Sequence, residues 1–204
     1  MIKDYYVVDF EFTQCTQRQG RPVGFFPEIV ELGAVKIDGD TLEVTEQDHH
    51  FVKPHFYPKQ LKEIADFCMI TDKEMKASIS FPDMIECLKG LYTPGKTYFV
   101  SWGMEDFRVL KKGCERHGIE NPVLYEDCLD FAEWYKWEMG DSNTTGLRKA
   151  TEEQCIDTGM LWHAAISDAL NTGKLLITLL KDGWNPDDFM SAIDTENCSE
   201  TSGI

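Results

Sequence analysis

The 204-residue sequence predicts an α/β domain built on a mixed five-stranded sheet flanked by helices. Three strand patterns come first and are joined by short connections. Helical patterns then alternate with two further apolar strands. Strands that are joined through a crossover helix usually run parallel, so the last two strands are expected to run parallel to the first.

The first three strands are expected to form an antiparallel meander. "YYVVDFEF" (5–12) is the first strand, with apolar residues on both faces. A polar loop with Gly and Pro follows over 14–27, and "EIVELGAVKI" (28–37) is the second strand. The turn "DGD" (38–40) leads into a third strand over about 42–52.

Helical patterns dominate the remainder of the chain. One helix is predicted over about 59–68, a short one after Thr71 and another after Ser80, both of which are typical N-cap residues. The further predicted elements are a buried strand over 97–102, a helix ending at Gly118, a fifth strand in "VLYEDCLDF", helical segments near 131–139 and 145–155, and a long helix over about 164–181. Residues 1–182 are therefore expected to form the functional domain, followed by a flexible, acidic tail over 183–204.

Charge and cysteine content narrow the function classes. The net charge is −16, which argues against a broad basic face for long nucleic acid but suits divalent cations. The seven cysteines are odd in number and lack C-x-x-C spacing, which predicts reduced thiols rather than disulfides or zinc. No stretch has the roughly 20 apolar residues of a membrane span. Nor does the N-terminus resemble a signal peptide, so a cytoplasmic location without membrane partners is expected.

The acids Asp9 and Glu11 lie inside the apolar first strand. Residues two apart project from the same face of a strand, roughly 6–7 Å apart along the chain. Two other D-x-E triplets, Asp72/Glu74 and Asp194/Glu196, lie in polar settings. Paired carboxylates in an apolar strand favour a hard divalent ion; the alternative is a strand end that faces water.

Two further stretches place acids where such a site would form. In "FVSWGMEDFRVL", Asp106 lies at the start of a helix that follows a buried strand, near the carboxyl end of the sheet; complementing the helix dipole is the alternative. In "WHAAISDALNTGKLLITLL", Asp168 lies within an apolar helix and His163 in the loop before it. A half-buried structural role is the alternative for His163.

In this order, "DFEFT", "WGMEDFRVL" and "HAAISDA" resemble the DEDDh class of 3′–5′ exonucleases, which have a ribonuclease H-like fold. The segments "FFPEIVELGAVKI", "FVKP", "ITDKEM" and "TGLRKA" are most similar to its KapD-like branch, which is related to the ERI-type exoribonucleases. The resemblance covers residues 5–182. It departs from the family at Trp162 and Ser167, where the family often has a basic and an acidic residue.

The resemblance implies a metal-dependent 3′–5′ exonuclease that releases nucleoside 5′-monophosphates. Its metal ligands would be Asp9, Glu11, Asp106 and Asp168, which would hold two Mg²⁺ or Mn²⁺ ions. His163 would be the general base that takes a proton from the attacking water.

Substrate contacts are also implied by the resemblance. The terminal nucleotide is expected at Phe12, Thr13, Ile70 and Thr71, and Trp102 is expected either to stack a base or to serve the core. Glu31 is expected to have a structural role, and a contact with the site is the alternative. Four other histidines, which have no acid at ligand spacing, are assigned to structural or surface roles: His49, His50, His55 and His117.

Three functions follow from these observations. The first is RNA processing, by trimming the 3′ end of single-stranded or short RNA. The second is a DNA-directed exonuclease of the same class. The third is a regulatory binding protein, because KapD is described as an inhibitor in a sporulation pathway; intact metal ligands argue against a purely non-catalytic role. The sequence leaves the oligomeric state open.

Overall fold

The computed structural model describes residues 3–16, 21–158 and 162–200, with side chains described as far as Ile193. Its strands are β1 (Asp4–Phe12), β2 (Ile29–Ile37), β3 (Val44–Phe51), β4 (Thr97–Ser101) and β5 (Cys128–Asp130). Its helices are α1 (Leu61–Phe67), α2 (Asp72–Lys76), α3 (Phe81–Leu91), α4 (Glu105–His117), α5 (Phe131–Met139), α6 (Leu147–Glu153), α7 (Ala165–Lys181) and α8 (Pro186–Glu200). Short 3-10 turns cover Pro58–Gln60 and Tyr125–Asp127.

The five strands form one mixed sheet in the order β3-β2-β1-β4-β5. β1 pairs antiparallel with β2 and parallel with β4, and β5 runs parallel to β4. The predicted fold class is confirmed, including the direction of the last two strands. β1 therefore lies at the centre of the sheet, and its carboxyl end meets those of β4 and β5.

Helices cover both faces of the sheet. Tyr6 and Val8 of β1 belong to the apolar cluster that packs under α3 and α4. Tyr5 and Val7 face the other way, into the cluster covered by α5, α7 and α8. Burying each of these large apolar side chains contributes roughly 1.5–3 kcal/mol. Asp9 has the parity of Tyr5 and Val7, so it projects toward the α7 side of the sheet.

Local signals set the helix boundaries as the sequence predicts. Thr71 and Ser80 each cap a helix through a reciprocal capping box, with Glu74 and Asp83 as their partners. α4 ends at Gly118, whose φ of 66° suits a residue without a Cβ.

Within the segment expected to be a flexible tail, residues Pro186–Glu200 form the helix α8. Pro186 occupies the first helical position, and the side chain of Asn185 accepts the Asp187 N–H (3.1 Å). Phe189 is buried, with its ring 6.5 Å from that of Trp134. The acidic composition suggested disorder, but these apolar contacts hold the helix on the domain.

The six cysteines whose side chains are described form no disulfide, while the side chain of Cys198 lies outside the described residues. Within the described ranges, no helix is long and apolar enough to cross a bilayer.

Candidate active site

Asp9 and Glu11 lie on the central strand, near its carboxyl end. On the neighbouring strand, Asp9 is opposite Gly33 and Glu11 is opposite Glu31. A Cβ on Gly33 would lie only 2.0 Å from the backbone carbon of Ala165. The start of α7 therefore crosses the sheet directly over Gly33, which brings α7 beside Asp9.

Asp106 lies in the first turn of α4 and is 8% exposed. The pairing of β1 with β4 ends at Val7, so the Phe10 N–H needs another partner. Asp106 supplies it, because its Oδ1 accepts the Phe10 N–H at 2.8 Å. This bond fixes the carboxylate next to Asp9.

Asp168 lies in the first turn of α7 and is also 8% exposed. Its Oδ2 accepts the backbone N–H of His163 at 3.0 Å. Its buried Oδ1 has no hydrogen-bond partner. An acceptor oxygen that is buried and unpaired in this way is available to a cation.

His163 precedes α7 in a left-handed backbone conformation with φ of 63°. A residue other than glycine in this region is strained, and such strain clusters at functional sites. The imidazole is exposed, and its ring centroid lies 4.6 Å from that of Phe67. Ligand atoms of Glu11, His163 and Asp168 all lie within 4.8 Å of one another.

Burial and mutual repulsion make these carboxylates costly to ionise. Burial, followed by Asp106 and Glu11, raises the pKa of Asp9 well above its ordinary value. Burial raises the pKa of Glu11 to about 7, against a hydrogen bond from the Cys68 thiol that lowers it. Burial also raises the pKa of Asp106 to about 7, and the pKa of Asp168 is raised for the same reason.

No lysine or arginine neutralises this cluster. In the part of the chain that the structure describes, none forms an ion pair with Asp9, Glu11, Asp106 or Asp168. Buried carboxylates without a cationic side chain are typical of sites for hard divalent metals.

Glu31 adds a fifth carboxylate beside the cluster. It is 2% exposed, and its charge raises the pKa of both Asp9 and Glu11. His49 Nε2 lies 2.8 Å from Glu31 Oε1, so His49 does have an acidic partner. The two residues are far apart in sequence, and only the register of β2 and β3 brings them together. The sequence left a contact of Glu31 with the site as the alternative to a structural role, and the register of β1 and β2 places Glu31 opposite Glu11.

The residues expected to contact substrate mainly have partners within the protein. Thr13 is fully buried; its Oγ1 accepts the Glu28 N–H (2.9 Å), and its own N–H binds the Glu28 carbonyl (2.8 Å). Phe12 is half-buried and packs against the core cluster under α3 and α4. Thr71 is exposed, but its hydroxyl caps α2.

Ile70 and Trp102 are likewise held by the protein. Ile70 is buried in a small cluster with Val30 and Ile64. The half-buried Trp102 donates its Nε1–H to the Thr145 carbonyl at 3.0 Å and packs against the ring of Phe131. Direct substrate contact by any of the five stays a prediction.

The fold and the site together define a class of nuclease. A central strand carries paired acids, and two helices each add one more acid. The profile of the exonuclease family described as "RNase_T: Exonuclease" matches residues 6–176. The chain therefore belongs to this family and is a 3′–5′ exonuclease, a hydrolase.

Relatives and solved structures agree with this assignment. The "Probable 3'-5' exonuclease KapD" of Bacillus subtilis is 36% identical over 176 residues, which cover 86% of this chain and 84% of that protein. The human "ERI1 exoribonuclease 3" is 24% identical over 188 residues, and this chain spans only 54% of its length. The nuclease domain of 3′hExo, a DEDDh family member bound to rAMP, has a similar fold, with a TM-score of 0.75 at 22% identity over 89% of this chain and 94% of that one.

Proposed function

We propose that this exonuclease releases nucleoside 5′-monophosphates from the 3′ end of single-stranded or short RNA. We further propose that Asp9, Glu11, Asp106 and Asp168 hold two Mg²⁺ or Mn²⁺ ions, and that the site lies entirely within residues 1–182. One observation carries the proposal. The charges of Asp106, Glu11 and Asp168 all act on Asp9 near the carboxyl end of β1, and no Lys or Arg of the described residues forms an ion pair with these four carboxylates.

The donor set fits divalent metal ions. The unpaired Oδ1 of Asp168 and the raised pKa values of Asp9 and Glu11 both indicate that a positive charge completes the cluster. When bound, such ions supply a water of lowered pKa and stabilise the charge that develops on the leaving oxygen.

His163 is proposed to take the proton from the attacking water. Histidine exchanges protons near neutral pH, and this imidazole is exposed beside the carboxylates. Three features hold it: the left-handed backbone, the bond from its N–H to Asp168 and the ring of Phe67. Asp168 is therefore proposed both to hold metal and to orient the loop that carries the base.

The preference for RNA is supported by the relatives rather than by the geometry. ERI1 exoribonuclease 3 and 3′–5′ exoribonuclease 1 are named for RNA, and this chain spans about half the length of each. A DNA-directed enzyme is the alternative, and a regulatory binding protein is a further one. A cytoplasmic location is proposed as well, which fits the free thiols.

The test compares RNA and DNA single strands of equal sequence, labelled at their internucleotide phosphates and incubated with Mn²⁺. Asp9→Asn should abolish the release of 5′-monophosphates. Asp72→Asn is the matched control, because Asp72 is an exposed acid of another D-x-E triplet and should retain full activity. Release from RNA alone supports the proposal, whereas equal release from DNA contradicts the RNA preference. Failure to degrade either polymer would contradict the enzymatic proposal.

His163→Ala tests the general base separately. Its turnover should fall by about 10²- to 10⁴-fold, which is the typical contribution of a positioned base. Manganese binding, measured by calorimetry, should persist because four carboxylates remain. If manganese binding is lost as well, His163 is a metal ligand and not the base.

A further inference from the structure

This acidic chain has several stretches without an acid, and two of them meet in the structure. Residues 12–27 and 49–62 lack Asp and Glu and contain five Lys or Arg, in a chain whose net charge is −16. The structure brings parts of these stretches together, and we call the surface formed by residues 21–27 and 53–62 the acid-free platform. Such a local excess of positive charge is the electrostatic footprint of nucleic-acid binding.

Aromatic rings join the two halves of the platform. The ring centroids of Phe25 and Tyr57 are 5.2 Å apart, and those of Phe26 and Phe56 are 5.3 Å apart. The Tyr57 hydroxyl also donates to the Gly24 carbonyl at 2.8 Å. The two loops therefore form one packed surface.

Two acids border the platform. Glu63 follows Lys62, is exposed and accepts the Thr16 hydroxyl at 2.6 Å. Glu28 follows the first loop and is used by the fold. Glu28 is 6% exposed, and its carboxylate accepts the backbone N–H groups of His55, Phe56 and Tyr57 at 2.6, 2.8 and 2.5 Å. Its negative charge is thus directed inward, toward backbone donors. It does not cancel the exposed cations of the platform.

Those cations are exposed, and one of them lies beside an aromatic ring. The Arg21 guanidinium lies 5.2 Å from the Phe25 ring, and Lys53, Lys59 and Lys62 are exposed. Stacking rings next to cations are the combination that proteins use to hold single strands without reading their sequence.

The platform is connected to the active site. Its first loop leaves β1 just after Glu11, and helix α1 carries Lys62 near one end and Phe67 at the other. These two residues are about 7.5 Å apart along the helix axis. Since the Phe67 ring lies 4.6 Å from that of His163, a strand whose 3′ end reaches His163 passes α1 on its way to the platform.

We propose that the acid-free platform binds the single-stranded segment on the 5′ side of the nucleotide that is removed. Bases stack on Phe25 and Tyr57, and phosphates contact Arg21, Lys59 and Lys62. The proposal rests on the exonuclease function proposed above and adds the path that the polymer takes. A small platform of this kind reconciles polymer binding with a strongly acidic protein.

The first test measures the affinity for a fluorescently labelled 12-nucleotide single strand by anisotropy, in EDTA so that no hydrolysis occurs. In Lys59→Ala/Lys62→Ala, the slope of log affinity against log salt should become shallower by roughly 1.4, as expected for two lost single-strand phosphate contacts. The affinity at low salt should fall about tenfold. Lys89→Ala/Lys181→Ala makes the same charge change at the other end of the sheet and should match the wild type.

A second variant separates stacking from charge. Phe25→Leu keeps an apolar side chain but removes the ring, so the affinity should fall about fivefold while the salt slope is retained. An unchanged affinity in Phe25→Leu would overturn the stacking part of the proposal.

Cleavage kinetics distinguish failure of the platform from failure of the function. The ratio of kcat/KM on the 12-nucleotide strand to that on a dinucleotide should fall about tenfold in Lys59→Ala/Lys62→Ala and stay constant in the lysine control. If the wild-type enzyme is active but Lys59→Ala/Lys62→Ala keeps the affinity and salt slope of the wild type, only the platform proposal is overturned. An acidic protein segment would then be the partner that the charge of the platform fits. A wild-type protein that degrades neither substrate would instead overturn the proposed function.

Discussion

Replacing Glu11 by glutamine should stabilise the metal-free protein at alkaline pH, although it removes a proposed metal ligand. Glu11 lies among Asp9, Glu31 and Asp168 without a cationic partner, and its pKa rises from 4.5 to about 7 on folding. Below about pH 4.5 the carboxyl is protonated in both the folded and unfolded states, so it costs nothing. As the pH rises toward 7, only the unfolded state ionises freely, and the folded state loses stability.

The magnitude follows from the size of this pKa change. A tenfold change in proton affinity corresponds to about 1.4 kcal/mol, so the full cost is roughly 3 kcal/mol above pH 7. Glutamine forfeits part of the favourable hydrogen bond from the Cys68 thiol, which leaves an expected gain of about 2 kcal/mol. For a chain of this length, that gain raises Tm by about 4–8 °C.

Thermal unfolding in EDTA, followed by circular dichroism from pH 4.5 to pH 8, measures this effect. The difference in Tm between Glu11→Gln and wild type should grow as the pH rises. Adding Mg²⁺ should reverse the order, because metal binds the folded wild type and stabilises it. Glu43→Gln, which neutralises an exposed acid between β2 and β3, should show neither effect. A Glu11→Gln protein that is no more stable than wild type at pH 8 would refute the electrostatic account.

Three further substitutions test the packing around the site. Gly33→Ala should destabilise the protein by about 3 kcal/mol in urea denaturation and abolish activity, because its Cβ would collide with the start of α7. The control is Gly90→Ala, where nothing lies within 4 Å of the added Cβ, and its free energy of unfolding should be unchanged or higher. Phe67→Ala should lower kcat by roughly 10- to 100-fold in steady-state assays. Its Tm should be nearly unchanged, since Phe67 is 59% exposed. An unchanged kcat in this variant would show that the Phe67 ring does not orient the base. Phe189→Ala should lower the free energy of unfolding in urea by about 3 kcal/mol, whereas a flexible tail would give no change.

The fold could be predicted from the sequence because its signals are local and agree with one another. Alternating parity in 5–12, the turn at 38–40 and the caps at Thr71 and Ser80 each specify one element. Topological rules then fix the parallel direction of β4 and β5. The same rules predict that Asp9 and Asp106 lie at one end of the sheet.

Contacts that depend on long-range register could not be predicted in this way. The Glu31–His49 pair forms only because β2 and β3 align Gly33 with His49 and Glu31 with Phe51. The requirement for glycine at position 33 depends on where α7 crosses the sheet, which no local pattern encodes. α8 is a different case, because Asn185 and Pro186 are typical of a helix start, whereas the acidic composition of the segment is typical of disorder.

In this protein, the position of the charged residues matters more for nucleic-acid binding than the net charge. A net charge of −16 argues against a broad nucleic-acid face, yet several of the acids have partners or positions that keep their charge away from the platform. Four acids converge where metal ions are proposed to neutralise them, and Glu28 is directed inward onto three backbone N–H groups. The acid-free platform then leaves Arg21, Lys53, Lys59 and Lys62 exposed. An acidic exonuclease built in this way would hold its substrate through a few phosphate contacts, so its polymer affinity should be weak and should fall with salt at a correspondingly shallow slope.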